Sequence, residues 1–299
     1  YANAIRRVIL SDIPTVVFET SPHEKNNSIF YVNTSKLNNE ILKQRLSCIP
    51  IHIDDLDMPL DDYILDVDVK NTTDSIIYVT TKDFKIKNLK TGKYLNDDLV
   101  NTIFPPNNIT NQYIDFCRLN KKISETILGE HIKFTCKFSI STASENASFN
   151  VVSTGTYKNT PNINEIQEQE ILKREELKEK FKDDEESIEF HLQDWRKLDA
   201  KRIVLDNSFD FKVESIGVFK NIDIVKKSIN IIINRLKNIE ANYVNDTNLI
   251  EKSNSTIKNS FDIKLESEDF TIGKILEFTL YDNYFQKEEV LTFCGFKKD

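Results

Sequence analysis

Apolar residues recur at helical intervals near both ends of the chain. Ile5, Val8 and Ile9 share one face of a short amphipathic helix predicted over residues 3–10. A second helix of the same kind is predicted over residues 268–277. Each helix is followed by a predicted strand, at residues 15–18 and 290–296. We interpret the two helix-and-strand units as facing each other, with the rest of the chain inserted between them or built on them.

Alternating apolar and polar residues predict several short strands in the first half of the chain. The clearest is residues 129–138, where Ile132, Phe134, Cys136 and Phe138 fall on one face. The other predicted strands are residues 16–18 and 29–32, which we expect to pair with each other, and residues 63–69, 76–80 and 84–86. A helix is predicted among them, with a Thr or Ser as its N-cap and a proline that ends it. Its apolar residues are Leu37, Ile41, Leu42 and Leu46.

The second half begins with a strongly charged stretch, residues 165–202, whose apolar residues recur at helical intervals. We interpret it as two helices with solvated faces, or alternatively as a docking surface for another protein with Trp195 as its anchor. A strand over residues 209–217 and a long helix over residues 221–240 follow. This helix has a wider apolar face than one core needs, so we expect its own domain and a partner to bury it. Residues 241–260 are polar and predict a linker.

Composition is that of a protein with a packed core, since 39% of the residues are hydrophobic and 29% are charged. The net charge of −8 disfavours a surface that binds a phosphate backbone, so direct nucleic-acid binding is not predicted. No apolar run reaches the roughly 20 residues that span a membrane, so no membrane partner is predicted. The four cysteines are scattered without a CxxC pair, which argues against a zinc site. We expect the chain to be truncated at both ends, because Tyr1 directly adjoins the first predicted helix and the chain stops at residue 299, one strand into a unit that should continue.

An acidic cluster is the candidate for metal chemistry. Hard cations are bound by several carboxylates, and Asp66 and Asp68 share one face of a predicted strand. The pattern offers no basic or histidine companion, so a solvated acidic loop is favoured over a metal-dependent enzyme. The four histidines are scattered, and neither a nucleophilic triad nor a glycine-rich phosphate loop is predicted. The cluster consists of Asp54, Asp55, Asp57, Asp61, Asp62, Asp66 and Asp68.

Several short blocks occur in a set order in the N-terminal region. They are Asn3-Ala4-Ile5-Arg6-Arg7, Ile13-Pro14-Thr15, Leu37-Asn38-Asn39-Glu40, Arg45-Leu46 and Ile49-Pro50. Their order and spacing resemble the third-largest subunit of multisubunit RNA polymerases, the relative of the bacterial alpha and archaeal D-type subunits. The resemblance implies an α+β fold in which an alpha-like dimerisation domain, residues 1–51 and 207–240, is interrupted by a β-rich insert domain, residues 52–206.

A second resemblance lies near the C-terminus. Residues 268–273, with the sequence Glu-Asp-Phe-Thr-Ile-Gly, and residues 293–296 resemble the small eleventh subunit of eukaryotic polymerases and its archaeal L-type counterpart. The motif of that small subunit reads Glu-Asp-His-Thr-Leu-Gly, so Phe270 stands in place of the histidine. Because the small subunit pairs with the third-largest one, the resemblance implies that both partners are fused here, with residues 261–299 as the small-subunit half. This arrangement is similar to polymerases of nucleocytoplasmic large DNA viruses.

Together the resemblances imply a non-catalytic assembly subunit of a DNA-directed RNA polymerase. Its halves would form an intramolecular pseudo-heterodimer that assembles the largest and second-largest subunits and small zinc-bearing subunits, with DNA reached only through the complex. No cofactor is expected in this chain, because magnesium and zinc belong to other subunits of the family. The expected location is intracellular, in a viral factory of the host cytoplasm, with packaging in the virion as an option. A free-standing interaction adaptor of the same fold is the alternative.

The resemblance also implies two sets of site residues. Arginine suits a contact to another subunit, because its planar fork can hold two hydrogen bonds to one carboxylate. Contacts to other subunits are expected at Asn3, Arg6, Arg7, Glu40 and Arg45. Intramolecular dimerisation is expected at Ile5, Ile9, Ile229, Ile233, Leu236, Phe270, Ile272, Ile275 and Leu276.

Overall fold

The protein is described by a computed structural model that covers the chain except residues 125, 127, 183, 246–248 and 299, and the side chains of residues 244 and 245. Helices and several small antiparallel sheets are mixed along the chain, which confirms the predicted α+β class. No helix of the described part has both the length and the apolar character that a membrane crossing requires.

The regular elements follow in chain order. The α-helices are α1 (Ala2–Ser11), α2 (Asn39–Ser47), α3 (Asp97–Ile103), α4 (Ile163–Phe181), α5 (Glu185–Lys197), α6 (Asn221–Asn245) and α7 (Phe270–Leu280). The strands are β1 (Thr15–Val17), β2 (Ser28–Asn33), β3 (Tyr63–Lys70), β4 (Ile77–Thr80), β5 (Lys85–Asn88), β6 (Asp115–Leu119), β7 (His131–Lys137), β8 (Ser139–Ser141), β9 (Val152–Pro161), β10 (Val204–Ser215), β11 (Ile250–Lys252) and β12 (Phe261–Ile263).

The chain divides into two compact units. The first comprises Tyr1, Asn3–Ser153 and Glu214–Asp299, and the second is built from Thr154–Val213. This division separates the charged helices α4 and α5 from the β-rich residues before them. The domain boundaries implied by the resemblance, with an insert over residues 52–206, stay a prediction.

The main core of the first unit lies under a four-stranded antiparallel sheet with the order β2-β7-β3-β5. Ile132, Phe134 and Cys136 of β7 are fully buried on one face, as the alternation predicted. Phenylalanine rings fill the space beneath them, with Phe84 packed edge-on against Phe134 at a centroid distance of 6.3 Å. Two smaller ladders, β1–β8 and β4–β6, flank this core.

Two local predictions for the N-terminal region were wrong. Strand β1 pairs with β8 (Thr15 opposite Ser141), not with the strand that follows it in sequence. Strand β2 pairs with β7 of the main sheet, so the turn between β1 and β2 connects two different sheets. Helix α2 begins later than expected and is capped by Asn38, whose side chain accepts the Ile41 N–H at 2.9 Å. The hydroxyl of Ser35 is instead bonded to Asn33.

The C-terminal region also differs from its prediction. Helix α6 extends to Asn245, and β11 pairs with β12. Part of the segment predicted as a linker, residues 241–260, therefore has regular secondary structure. Residues 246–248 of that segment lie outside the described residues. Residues 290–296 form no strand, and the backbone N–H groups of Val290 and Leu291 donate to the Tyr284 carbonyl instead. A π-helix, Tyr281–Lys287, follows α7 instead, and the ring of Phe296 packs directly over Gly273.

The second unit contains α4, α5 and the two-stranded ribbon of β9 and β10. Two helices were predicted over residues 165–202, and both are present. Leu177, Ile188 and Leu192 form their common core, against which Phe181 and Trp195 pack. Trp195, considered above as an anchor for another protein, therefore contributes to the core of its own helix pair.

Candidate functional site

Three helices from distant parts of the sequence, α1, α6 and α7, meet in the first unit. Ala4 of α1 is buried against Ile272 and Ile275 of α7. Ala4 has a short side chain, so the two helices can approach each other closely here. Helix α6 completes the cluster, which we call the helix junction. Its partly buried members are Ile232, Leu236, Ile239 and Leu276.

An arginine of α6 links the other two helices of the helix junction. Arg235 donates to both carboxylate oxygens of Glu268, with Nε–Oε1 at 3.2 Å and Nη2–Oε2 at 2.5 Å. Its Nη1 donates to Oδ2 of Asp12, the C-cap of α1, at 2.7 Å. Burial alone would lower the pKa of Arg235, but Glu268 and Asp12 outweigh it and raise that pKa above its ordinary value. One guanidinium thus joins the end of α1 to the start of α7.

A second arginine joins α1 to the first turn of α7. Asp269 caps α7, since its Oδ1 accepts the Thr271 N–H at 2.8 Å. Arg7 donates from Nη2 to Oδ2 of Asp269 at 2.6 Å and from Nε to the Thr271 hydroxyl at 2.8 Å. Burial would raise the pKa of Asp269, but the bonds from Thr271 and Arg7 outweigh burial and hold it below its ordinary value.

The structure gives Arg7 a partner within the chain, and the subunit contact predicted for it stays a prediction. Its guanidinium was expected to leave the domain for a carboxylate of another subunit, and it pairs with Asp269 of the same chain. Arg6 lies next to it on the outer side of α1 and is bonded to Asn3 Oδ1 at 2.8 Å. Glu40 pairs with Lys43 on the exposed side of α2. Subunit contacts at these positions and at Arg45, which donates to a backbone carbonyl of β6, stay a prediction.

The predicted dimerisation residues are only partly brought together. Leu236, Ile272, Ile275 and Leu276 belong to the helix junction. Ile9 is buried and Ile5 half-buried, but Ile229, Ile233 and Phe270 keep 40%, 41% and 47% of their surface exposed. Sequence reasoning missed Ala4, Ile232 and Ile239 in the apolar contact and Asp12, Arg235 and Glu268 in the polar one. The signal for Ile232, Leu236 and Ile239 was present, because their 4- and 3-residue spacing marks one face of α6.

Two of the acidic residues that suggested a metal site, Asp66 and Asp68, are hydrogen-bonded to a lysine, a histidine and a tyrosine hydroxyl. Asp68 is bonded to Lys133 and to His131, and Asp66 accepts the Tyr94 hydroxyl. The expectation that no basic or histidine companion exists was wrong, because these companions come from a strand more than sixty residues away. Within the described part of the chain, no group of three or more His, Cys, Asp or Glu side chains is arranged to hold a metal ion.

A shallow cleft of about 150 Å³ lies between α1 and α7 beside the helix junction. Tyr1 and Phe278 form one wall, with their rings edge to face at 6.1 Å. Its two cationic side chains, Arg7 and Lys274, are already paired with Asp269 and Glu277, respectively. The cleft therefore presents mainly apolar surface.

Known proteins and one protein family are similar in sequence to this chain. The chain is 25% identical over 268 positions to the DNA-directed RNA polymerases I and III subunit RPAC1 of Saccharomyces cerevisiae, covering 78% of each chain. It is 24% identical over 271 positions to a conjugation stage-specific protein of Tetrahymena thermophila, covering 76% of this chain and 82% of that protein. A family model described as the RNA polymerase Rpb3/Rpb11 dimerisation domain matches residues 1–236, from α1 into α6. The chain belongs to this RNA polymerase dimerisation family.

Proposed function

We propose that this chain is a non-catalytic assembly subunit of a DNA-directed RNA polymerase. Family membership and the likeness to a yeast polymerase subunit support a structural subunit rather than an enzyme. In this role the chain holds other polymerase subunits together, and the chemistry of RNA synthesis belongs to those subunits. The largest and second-largest subunits, and small zinc-bearing ones, are the partners we propose.

We further propose that the helix junction is an intramolecular pseudo-heterodimer contact. The family match ends at residue 236, so α7 and the residues after it lie beyond the matched region. Yet Arg235, at the edge of that region, binds Glu268 just before α7 and Asp12 just after α1. This bridge is the observation that carries the proposal, because it ties both ends of the matched region to the C-terminal segment. Tethering of two such halves also replaces a bimolecular association by an intramolecular one.

The proposal is tested by purification of the tagged chain from its native source, followed by native mass spectrometry. Recovery of two very large subunits at one copy each per chain supports the assembly role. Recovery of the chain alone, or with proteins unrelated to transcription, contradicts it and favours the free-standing adaptor. Whether the large subunits recovered are encoded by a virus or by its host tests the viral interpretation, which depends on the sequence resemblance alone.

Two charge-reversal variants separate contact with other subunits from contact within the chain. Arg6 is bonded to its neighbour Asn3, so Arg6→Glu is expected to reduce recovery of a large subunit while the chain stays folded. Arg7 binds Asp269, so Arg7→Glu is expected to loosen α7 in the isolated chain. Undiminished recovery with Arg6→Glu would show that the outer side of α1 is not the subunit contact.

A further inference from the structure

The exposed face of the four-stranded sheet is basic, although the chain carries 48 acidic and only 40 basic residues. Neighbouring residues of a strand point to opposite faces, so the buried Leu65, Val67 and Ile86 alternate with an outer set. That outer set contains the aspartates Asp66 and Asp68. It also contains five lysines of β3, β5 and β7, namely Lys70, Lys85, Lys87, Lys133 and Lys137.

The strand register fixes how these charges are spaced. Ile64 of β3 lies opposite Lys87 on one side and Lys137 on the other. The backbones at Lys87 and Lys137 are therefore two strand spacings apart, roughly 10 Å. Lys85 shares the outer face of β5 with Lys87, and Lys70 lies towards the far end of β3. The lysines thus surround the two aspartates rather than forming a single row.

Both aspartates of this face are already engaged. Asp68 accepts hydrogen bonds from Lys133 Nζ and His131 Nε2, each at 2.7 Å, and these bonds lower the pKa of Asp68. Asp66 accepts the Tyr94 hydroxyl at 2.6 Å. Within the described part of the chain, four outer lysines have no carboxylate in ion-pair distance, namely Lys70, Lys85, Lys87 and Lys137.

Edge protection explains only part of this pattern. Lysines on an edge strand discourage pairing with another sheet, and β5 is an edge of this sheet. That explanation covers Lys85 and Lys87. It extends to Lys70, because the pairing of β3 with β5 ends at Asp66 and leaves that edge of β3 unpaired at Lys70. It does not cover Lys137, which lies on the inner strand β7, opposite Ile64 of β3 on one side and hydrogen-bonded to Asn27 on the other.

We propose that the exposed face of this sheet is a docking surface for a segment of another protein that is rich in Asp and Glu. Lysines that pair with no carboxylate of the described chain attract carboxylates of a partner and orient an incoming acidic segment, although Lys87 Nζ also lies over the ring of Tyr94, 5.8 Å from its centroid. The adjoining strand β2 contributes the exposed apolar side chains of Ile29 and Tyr31, each 57% exposed, and this mixture is typical of protein interfaces. Nucleic acid fits the face less well, because Asp66 and Asp68 lie among the lysines and would oppose phosphates. The surface is distinct from the helix junction and extends the proposed function to a second contact.

A first test measures binding of fluorescently labelled poly-L-glutamate to the purified chain at low ionic strength. The variant is Lys85→Glu with Lys137→Glu, and the matched control is Lys178→Glu with Lys201→Glu, the same charge change on exposed lysines of the second unit. We expect the sheet variant to weaken binding by at least about tenfold and the control to weaken it much less. Equal effects of both variants, or no binding by the parent, would overturn the proposal. Tighter binding of a labelled single-stranded or duplex oligonucleotide than of poly-L-glutamate would also overturn it.

A second test uses the complex that the tagged chain forms in its native source. A carbodiimide joins lysine amines directly to carboxylates that they touch, so mass spectrometry of the linked peptides identifies the contacted acid. We expect Lys70, Lys85 or Lys137 to be joined to Asp or Glu of another chain, and to react less with an acetylating reagent than in the isolated chain. Links from these lysines only within this chain, with unchanged acetylation, would contradict the docking surface and leave the assembly role unaffected.

Discussion

The Arg235 bridge makes the sharpest prediction about the helix junction. Replacing Arg235 by Met keeps an unbranched apolar stem and removes the guanidinium, which leaves Asp12 and Glu268 without their shared cation. Only 23% of the Arg235 side chain is exposed, and the exposed fractions of the Asp12 and Glu268 side chains are 24% and 10%. Removing one member of a buried ion pair costs about 3–5 kcal/mol, and the residual exposure reduces this to about 2–3 kcal/mol.

Arg196 supplies a matched control. It also pairs with two carboxylates, Glu170 and Glu189, but its side chain is 40% exposed. Because solvent screens such pairs, Arg196→Met is expected to cost less than about 1 kcal/mol. The two arginines therefore separate the effect of burial from the effect of losing two ion pairs.

Hydrogen exchange followed by mass spectrometry resolves the effect along the chain. A loss of about 2 kcal/mol in the free energy of opening corresponds to roughly thirtyfold faster exchange. We expect this acceleration in peptides of α1 and α7 for Arg235→Met, and much less in peptides of α4 and α5 for Arg196→Met. An acceleration of less than about threefold in α7 would refute the reasoning. Adding Glu268→Gln to Arg235→Met should restore part of the protection, because it removes the stranded carboxylate.

Three further predictions concern the cap of α7, its contact with the C-terminal segment and the cysteines. The pKa of Asp269 is held below its ordinary value of 3.8. Its contribution to stability is therefore present above pH 3.8 and is lost as the pH falls through the lowered pKa. Asp269→Asn should show a smaller loss of stability in acid, measured by circular dichroism. In Gly273→Ala the new Cβ would lie 2.2 Å from a ring atom of Phe296, so we expect proteases to cut the C-terminal segment faster while α7 stays helical. In the native chain a thiol reagent should modify exposed Cys48 first and spare Cys136, because burial raises the pKa of the Cys136 thiol.

Each of these predictions has its own control. Asn is about as good an N-cap as Asp, so at neutral pH Asp269→Asn should lose only the charged bond to Arg7, and an unchanged acid transition would contradict the assignment. Phe296→Ala should make Gly273→Ala neutral or stabilising, since alanine is the better helix former by about 1 kcal/mol. Rapid labelling of Cys136 before unfolding in urea would contradict its place in the core.

Local patterns in the sequence predicted most of the elements but not their partners. Ile132, Phe134 and Cys136 alternate with polar residues, and alternation is enough to place a strand and its buried face. Nothing local indicates that β1 pairs with β8, because the partner lies more than a hundred residues away and both strands are only three residues long. The turn between β1 and β2 suggested a hairpin that the structure does not form.

The helix junction shows the same limit for side chains. The apolar face of α6 was recognised, but Ile229 was assigned to the contact while Ile232 and Ile239 were omitted. A helical period gives the width of an apolar face without saying which edge of it a neighbour covers. Arg235 was missed because its partners are 33 and 223 residues away, and an arginine amid isoleucines has no local signature. Such long-range ion pairs emerge only once the chain is folded.

The position of Trp195 has a practical consequence for spectroscopy. It is the single tryptophan of the chain, and it packs against the Leu177–Ile188–Leu192 core of the second unit. Intrinsic tryptophan emission therefore reports on the surroundings of α4 and α5, while the helix junction and the main sheet contain no such fluorophore. An unfolding curve recorded by fluorescence and one recorded by circular dichroism follow different parts of this molecule, and coincident midpoints would mean that the two units unfold cooperatively.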